Sequence, residues 1–159
     1  MSDTFSVLNE LMVDIFNDIL YIEQAALKEG AFNDISVTEI HTIEAIGMYE
    51  PRTMTEVAES LSITVGTLTI AISNLVKKGY VERKKSDADR RVVKLDLTKK
   101  GKLAFRIHAR FHRNMIKETI NTISEEEEVV LVKALEKLNM FFKQKYSIEV
   151  KANKEWSCE

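Results

Sequence analysis

Cysteine, proline and glycine are all scarce in this chain of 159 residues, and each scarcity excludes a class of protein. The single cysteine, Cys158, excludes an internal disulfide bond and favours the cytoplasm. One proline and five glycines are typical of a mostly helical chain. Apolar runs stay well short of the roughly 20 residues of a membrane span. The N-terminal residues do not resemble a secretory signal.

Motifs of catalysis are missing as well. The chain has no glycine-rich phosphate loop and no nucleophile motif, so we expect no enzyme, no catalytic residue and no cofactor. His108 and His112 are four residues apart on a predicted helix, which is a possible metal spacing. Because neither a cysteine nor a His-Glu-x-x-His pattern accompanies them, a packing role is favoured and no metal site is predicted. Cys158 lacks the basic neighbour of a reactive thiolate.

Positive charge is concentrated in one segment although the net charge is only −2. Residues 77–113 hold fourteen Lys and Arg against four Asp and Glu, a net of +10. The remainder of the chain has nine Lys and Arg against twenty-one Asp and Glu, a net charge of −12. The basic segment predicts attraction to phosphates, and a merely solvated face is the alternative.

Residues 54–97 carry the most informative pattern, two helices joined by a tight turn and followed by a charged β-hairpin. Thr53 and Glu56 form a predicted capping box, Thr64 caps the second helix and Gly79 ends it. The positions predicted to pack the two helices together are Val57, Ala58, Leu61, Ile63, Leu68 and Ala71.

Four more helices are predicted around this pattern. A capping box of Ser36 and Glu39 opens a helix over about 37–49. Longer helices span about 5–28 and about 99–146. The latter range holds two helices in sequence, and a third capping box, of Ser124 and Glu127, opens the second of them. Their apolar stripes are wider than one core-facing side needs, which predicts burial against a second copy of the chain in a homodimer.

The second helix of the pair would present its outer face to the major groove of DNA. That face is predicted to consist of Thr64, Val65, Gly66, Thr67, Thr69, Ile70, Ser73, Asn74 and Lys77. Val65 and Ile70 suit thymine methyl groups rather than guanine edges, which predicts an A·T-rich operator. Alternatively, these two residues belong to the core.

The hairpin tip supplies Arg90 and Arg91, which suit the negative potential of a narrow minor groove. Asp89 is placed to orient Arg91 by a charge-assisted hydrogen bond. Lys84, with Lys85 and Lys94, is predicted to contact phosphates, and plain surface charge is the alternative. A basic stripe on the next helix would contact flanking DNA or an acidic partner; it consists of Lys102, Arg106, Arg110 and Arg113.

The stretch from Asp87 to Gly101 resembles the wing of the MarR family of winged-helix repressors, followed by that family's Leu-x-Leu-Thr-x-x-Gly motif. The resemblance covers the chain to about residue 146. It implies a mainly α, dimeric winged helix-turn-helix fold and binding to palindromic double-stranded DNA, with Arg91 as the wing arginine and Asp89 as its acidic partner. Val65 and Ile70 depart from the family, since many members have arginine there.

The implied organisation is a single MarR-like domain over 1–146, followed by a C-terminal tail over 147–159. Within that domain the winged helix-turn-helix spans about 37–98, and the dimerisation helices span about 5–28 and 99–146.

A narrower resemblance is to the fatty-acid-synthesis repressors of that family (FabT type). It rests on Asp34-Ile35-Ser36, on Glu39 to Ile43 and on Arg106 to His112. It implies acyl-acyl carrier protein as corepressor, docked on the basic stripe, with its acyl chain in an apolar tunnel. The residues that would line this tunnel, or else serve as ordinary core, are Phe16, Ile19, Leu20, Ile40, Ile43, Phe105 and Phe111.

The sequence therefore predicts a DNA-binding transcriptional repressor of fatty-acid synthesis genes. Three alternatives stay open. The first is a regulator of the same family that a small aromatic or other lipophilic ligand releases from DNA. The second is an interaction module that has lost DNA binding, and the third is a metal-dependent enzyme.

Overall fold

Six helices and three short strands make up residues 2–146, the part of the chain that the computed structural model describes. In chain order they are α1 (Ser2–Glu29), α2 (Val37–Ile46), β1 (Arg52–Thr53), α3 (Met54–Leu61), α4 (Val65–Lys77), β2 (Val81–Lys85), β3 (Val93–Leu97), α5 (Lys99–Ile120) and α6 (Glu125–Lys145). The chain divides into two compact units between His108 and Ala109. The first unit below is residues 2–108 and the second is 109–146. The predicted tail, with Cys158, lies outside the described residues.

The helix caps predicted at Ser36, Thr53, Thr64 and Ser124 are confirmed, whereas α1 begins at Ser2 rather than at about residue 5. The hydroxyls of Ser36, Thr53 and Ser124 each accept a hydrogen bond from the backbone N–H three residues on, and a glutamate at that position completes each capping box. Thr64 caps α4 in the same way without the glutamate. These caps satisfy N–H groups that have no partner inside the helix, so local sequence alone sets where each helix begins.

The predicted end of α2 is wrong by three residues. The helix ends at Ile46 rather than at residue 49, because Gly47 adopts φ +77° and donates its N–H to the Ile43 carbonyl at 3.1 Å. A positive φ is cheap only for glycine, so Gly47 stops the helix well before Pro51 does.

The small sheet has three antiparallel strands in the order β1-β3-β2. The hairpin of β2 and β3 was predicted, and Val81 lies opposite Leu97. The two-residue strand β1 was not predicted, since it is too short to show alternation. Pairing with β3 defines it, and Arg52 ties it to α3, donating to the Glu56 carbonyl at 3.2 Å and to the Ser60 hydroxyl at 2.8 Å.

The hydrophobic core of the first unit lies between the helix-turn-helix, α2 and the sheet. Among its fully buried members are Ile40, Ile43, Ile46, Val57, Leu68, Ile72, Leu75, Tyr80, Leu95 and Leu97. Ile63, predicted to pack between α3 and α4, is 36% exposed. It follows Ser62, which ends α3 in a left-handed conformation (φ 56°). Asp96 on β3 is buried, and its carboxylate accepts a hydrogen bond from the Lys84 ammonium group.

The two terminal helices each keep large apolar side chains exposed. In α1 these include Phe5, Leu8, Leu11, Ile15 and Phe16, and in α6 they include Val130, Leu135, Met140 and Phe141. Along α6 no residue is buried. Within residues 2–146 no single helix is long and apolar enough to cross a bilayer. Taken together, α3 and α4 have the length and apolar composition of a membrane span, but the two helices are bent by 106° relative to each other.

Candidate nucleic-acid interface

Helix α4 presents the predicted recognition face to solvent. Thr64, Val65, Gly66, Thr67, Thr69, Ile70, Asn74 and Lys77 are exposed and Ser73 is half-buried. Val65 and Ile70 are 44% and 68% exposed, which excludes the alternative that they belong to the core of this chain. The opposite side of the helix is held by the fully buried Leu68, Ile72 and Leu75.

Hydroxyl groups on this face are already oriented by the helix. Thr69 donates to the Val65 carbonyl at 2.7 Å, and Ser73 donates to the Thr69 carbonyl at 2.8 Å. A hydroxyl whose proton is used in this way keeps oxygen lone pairs for an outside donor. The amino groups of adenine and cytosine are donors of this kind in the major groove. The face therefore combines acceptors with methyl-bearing side chains and has little positive charge.

The wing loop between β2 and β3 is closed by backbone hydrogen bonds. Ser86 donates to the Val92 carbonyl and Val92 to the Asp89 carbonyl, each at 2.9 Å. The Asp89 carboxylate accepts from the backbone N–H of Arg91 at 2.9 Å. The predicted contact between Asp89 and Arg91 thus exists, but it fixes the turn rather than the guanidinium. Arg90 and Arg91 are both exposed.

Arg83 is a residue of this surface that sequence reasoning missed. It is exposed on β2, and its guanidinium donates to the Ser73 hydroxyl on α4 at 3.3 Å. A positive charge therefore lies beside the recognition helix, whose own face lacks arginine. Alternation along β2 placed Arg83 on the opposite side from Lys84, but only the packing of the strand against α4 shows which side faces the helix.

Lys84 is engaged within the wing. Its ammonium group lies 2.6 Å from Asp96 and 3.0 Å from Glu82. Hydrogen bonds with these two carboxylates raise the pKa of Lys84. Burial alone would raise the pKa of Asp96, but the hydrogen bond and charge of Lys84 outweigh burial and lower it. Lys84 and Lys85 are both exposed, but the charge of Lys84 is already paired with two carboxylates, so a DNA phosphate would compete with these for Lys84.

The remaining predicted site residues are placed as follows. Arg106 of the basic stripe is exposed in the first unit, with Lys102 half-buried at 4.0 Å from Asp96. Arg110 and Arg113 are exposed in the second unit.

The residues predicted to line an acyl tunnel differ in their exposure to solvent. Ile40 and Ile43 are fully buried in the core because they hold α2 against the helix-turn-helix, so here they do not line an opening. Phe16, Ile19 and Leu20 are exposed on α1. Phe105 packs partly buried against the core, and Phe111 is half-buried in the second unit.

Comparison with known proteins agrees with this geometry. The model of the MarR family matches residues 33–92. Streptococcus pneumoniae FabT, solved in complex with DNA, is 44% identical over 88% of this chain and 98% of that chain, with a TM-score of 0.84. The chain belongs to the MarR family. The Bacillus subtilis regulator PchR is 26% identical over 81% of this chain and 86% of its own length. Escherichia coli MarR, 23% identical with a TM-score of 0.65, shows the fold alone.

Membership of the MarR family identifies the chain as a winged-helix, DNA-binding regulator of transcription. The predicted family and the predicted winged helix-turn-helix fold are thereby confirmed, whereas the dimer stays a prediction. PchR is a helix-turn-helix transcriptional regulator.

Proposed function

We propose that this MarR-family regulator is a homodimeric repressor of fatty-acid synthesis genes. It would bind A·T-rich palindromic DNA, with acyl-acyl carrier protein as corepressor. The observation that carries the proposal is the face of α4, where Val65 and Ile70 are exposed beside oriented hydroxyls. The 44% identity to FabT, which was solved with DNA, supports it.

A dimer accounts for the exposed apolar side chains of α1 and α6, because surfaces of that kind are rarely left in water. A two-fold axis then presents two recognition helices to one side of the duplex. Half-sites about 34 Å apart, one helical turn, would receive them. A palindrome follows, since each half-site is read by the same residues.

On each half-site, apolar and positively charged side chains would contact different parts of the DNA. Methyl contacts from Val65 and Ile70 favour thymine, and Arg91 at the wing suits a narrow A·T minor groove. Arg83 adds a positive charge between these two elements. Its place beside Ser73 suits a phosphate that flanks the major groove, and such a contact would position the protein rather than specify bases.

The corepressor proposal rests on charge and on the FabT relative. Acyl carrier protein is acidic, and the exposed arginines of α5 offer it a basic surface. The predicted acyl-binding residues Phe16, Ile19 and Leu20 lie exposed on α1, where an apolar chain would cover them. In this proposal the ligand favours the DNA-binding arrangement of the dimer, a coupling typically worth about 1–3 kcal/mol.

The test is selection of bound sequences from a random duplex pool, followed by affinity measurements on the selected operator with and without acyl-acyl carrier protein. We expect an A·T-rich palindrome whose affinity rises with the corepressor. Arg110→Glu should abolish the rise, whereas Lys117→Glu, an equal charge change on the same helix, should keep it. Unselective binding would refute the repressor proposal. A selected operator whose affinity does not change, or falls with a lipophilic ligand, would refute only the corepressor.

A further inference from the structure

A carboxylate and two imidazoles from three different helices meet inside the first unit. Glu23 on α1 places its Oε1 atom 3.0 Å from Nε2 of His41 on α2 and 3.0 Å from Nε2 of His108 on α5. The side chains of Glu23 and His108 are 2% and 4% exposed, and that of His41 is 39% exposed. The two imidazole rings are tilted by 57° with centroids 6.1 Å apart, and both Nε2 atoms lie within hydrogen-bond distance of the same oxygen.

We propose that Glu23, His41 and His108 form a binding site for a divalent transition-metal ion, with Zn²⁺ as the best match. Two imidazole nitrogens and one carboxylate oxygen are a donor set that zinc takes in proteins. All three donor atoms lie within 4.8 Å of one another. Ligand atoms at about 2.1 Å from a tetrahedral ion are about 3.4 Å apart, so the 3.0 Å separations need to widen by only a few tenths of an ångström.

Electrostatics favours a cation at this point. A buried carboxylate is costly unless positive charge or hydrogen bonds compensate it, and Glu23 is almost completely buried. Without metal, protons on the two Nε2 atoms fill that role by donating to Oε1. A divalent ion would bind the Nε2 lone pairs of neutral imidazoles that carry their proton on Nδ1, and it would add two positive charges beside the carboxylate. Glu44 places its Oε1 atom 3.6 Å from Nε2 of His108 and adds negative charge beside the cluster, while a water molecule can supply the fourth ligand.

The position of the site gives metal binding a structural consequence. Its ligands belong to α1, α2 and α5, so one ion would tie the long first helix to the helices on either side of the helix-turn-helix. An ion that binds only the folded chain raises the free energy of unfolding, and the melting temperature then depends on metal concentration.

The experiment uses full-length, tag-free protein carrying Cys158→Ser, so that the thiol cannot bind the ion. After removal of metal by a chelator, Zn²⁺ is titrated in competition with a chromophoric chelator, and the spectrum of bound Co²⁺ reports the ligand geometry. His41→Gln and Glu23→Gln remove one ligand each. Glu29→Gln is the matched control, since Glu29 is an exposed carboxylate of the same helix. His41 is the most exposed ligand, so its variant is the one expected to fold.

We expect one ion per chain, a tetrahedral Co²⁺ spectrum and a metal-dependent rise in melting temperature. Both ligand variants should weaken binding by more than roughly tenfold, since the loss of even an outer-shell partner costs 10–100-fold. Glu29→Gln should bind as the parent does. Failure of the parent protein to bind Zn²⁺, or equal affinity in folded His41→Gln, would overturn the proposal and leave a hydrogen-bonded cluster that joins three helices.

Discussion

Gly101→Ala is the substitution whose effect the structure predicts most directly. Gly101 is the third residue of α5 and packs against the chain between α4 and β2. A Cβ atom added there would lie 2.1 Å from the Tyr80 carbonyl oxygen and 3.3 Å from Cβ of Leu97. Neither neighbour is the far end of a flexible side chain. The Thr98 hydroxyl also holds this junction, donating to the Gly79 carbonyl at 2.6 Å.

The magnitude follows from two opposing effects. Alanine is favoured over glycine in a helix by up to about 1 kcal/mol, which would stabilise the variant. Overpacking a core costs about 1–3 kcal/mol, and a contact with backbone lies at the upper end of that range. We expect a net loss of about 2 kcal/mol, which corresponds to a fall of about 4–8 °C in melting temperature for a chain of this size.

Gly66→Ala is the matched control, because Gly66 is also in the first turn of a helix. An added Cβ there meets only the Thr64 hydroxyl at 3.8 Å, an ordinary contact. This variant should be as stable as the parent or gain a few tenths of a kcal/mol. Thermal and urea unfolding followed by circular dichroism, at one protein concentration, compares the two. If Gly101→Ala melted at the same temperature as Gly66→Ala, the close packing of α5 against the Tyr80 carbonyl would be refuted.

Three further predictions concern the wing and the titratable groups. Arg91→Ala should weaken operator binding by about 1–3 kcal/mol in fluorescence anisotropy, and unchanged affinity would show that the wing does not read DNA. Lys84→Ala should flatten the salt dependence of binding less than Lys85→Ala, because two carboxylates hold Lys84; equal slopes would contradict this. Asp34→Asn should flatten the pH dependence of melting below about pH 4. The hydrogen bond from Tyr80 lowers the pKa of Asp34, and the stability that this contributes in the parent is lost as pH falls through the folded pKa. A parallel acid transition in the variant would exclude that contribution.

Local chemistry explains why so much of the fold was predictable. The capping boxes at Ser36, Thr53 and Ser124 act within four residues, and the alternation of Leu95 and Leu97 acts within one strand. The missed features depend on partners far along the chain. Strand β1 exists only because β3 pairs with it, and Arg83 joins the DNA-facing surface only because β2 packs against α4.

The amino-acid order by itself determined the helix-turn-helix, the hairpin and the exposed face of α4, since periodicity and caps are properties of neighbouring residues. Tertiary structure alone decided that Glu23, His41 and His108 share one point. No periodicity connects positions 23, 41 and 108, because helix packing brings them together. In the same way, only the folded chain showed that Lys84 forms an ion pair with Asp96 and that Ile40 and Ile43 are buried in the core. Burial and charge pairing depend on which surfaces meet, and that is settled by packing across the whole unit.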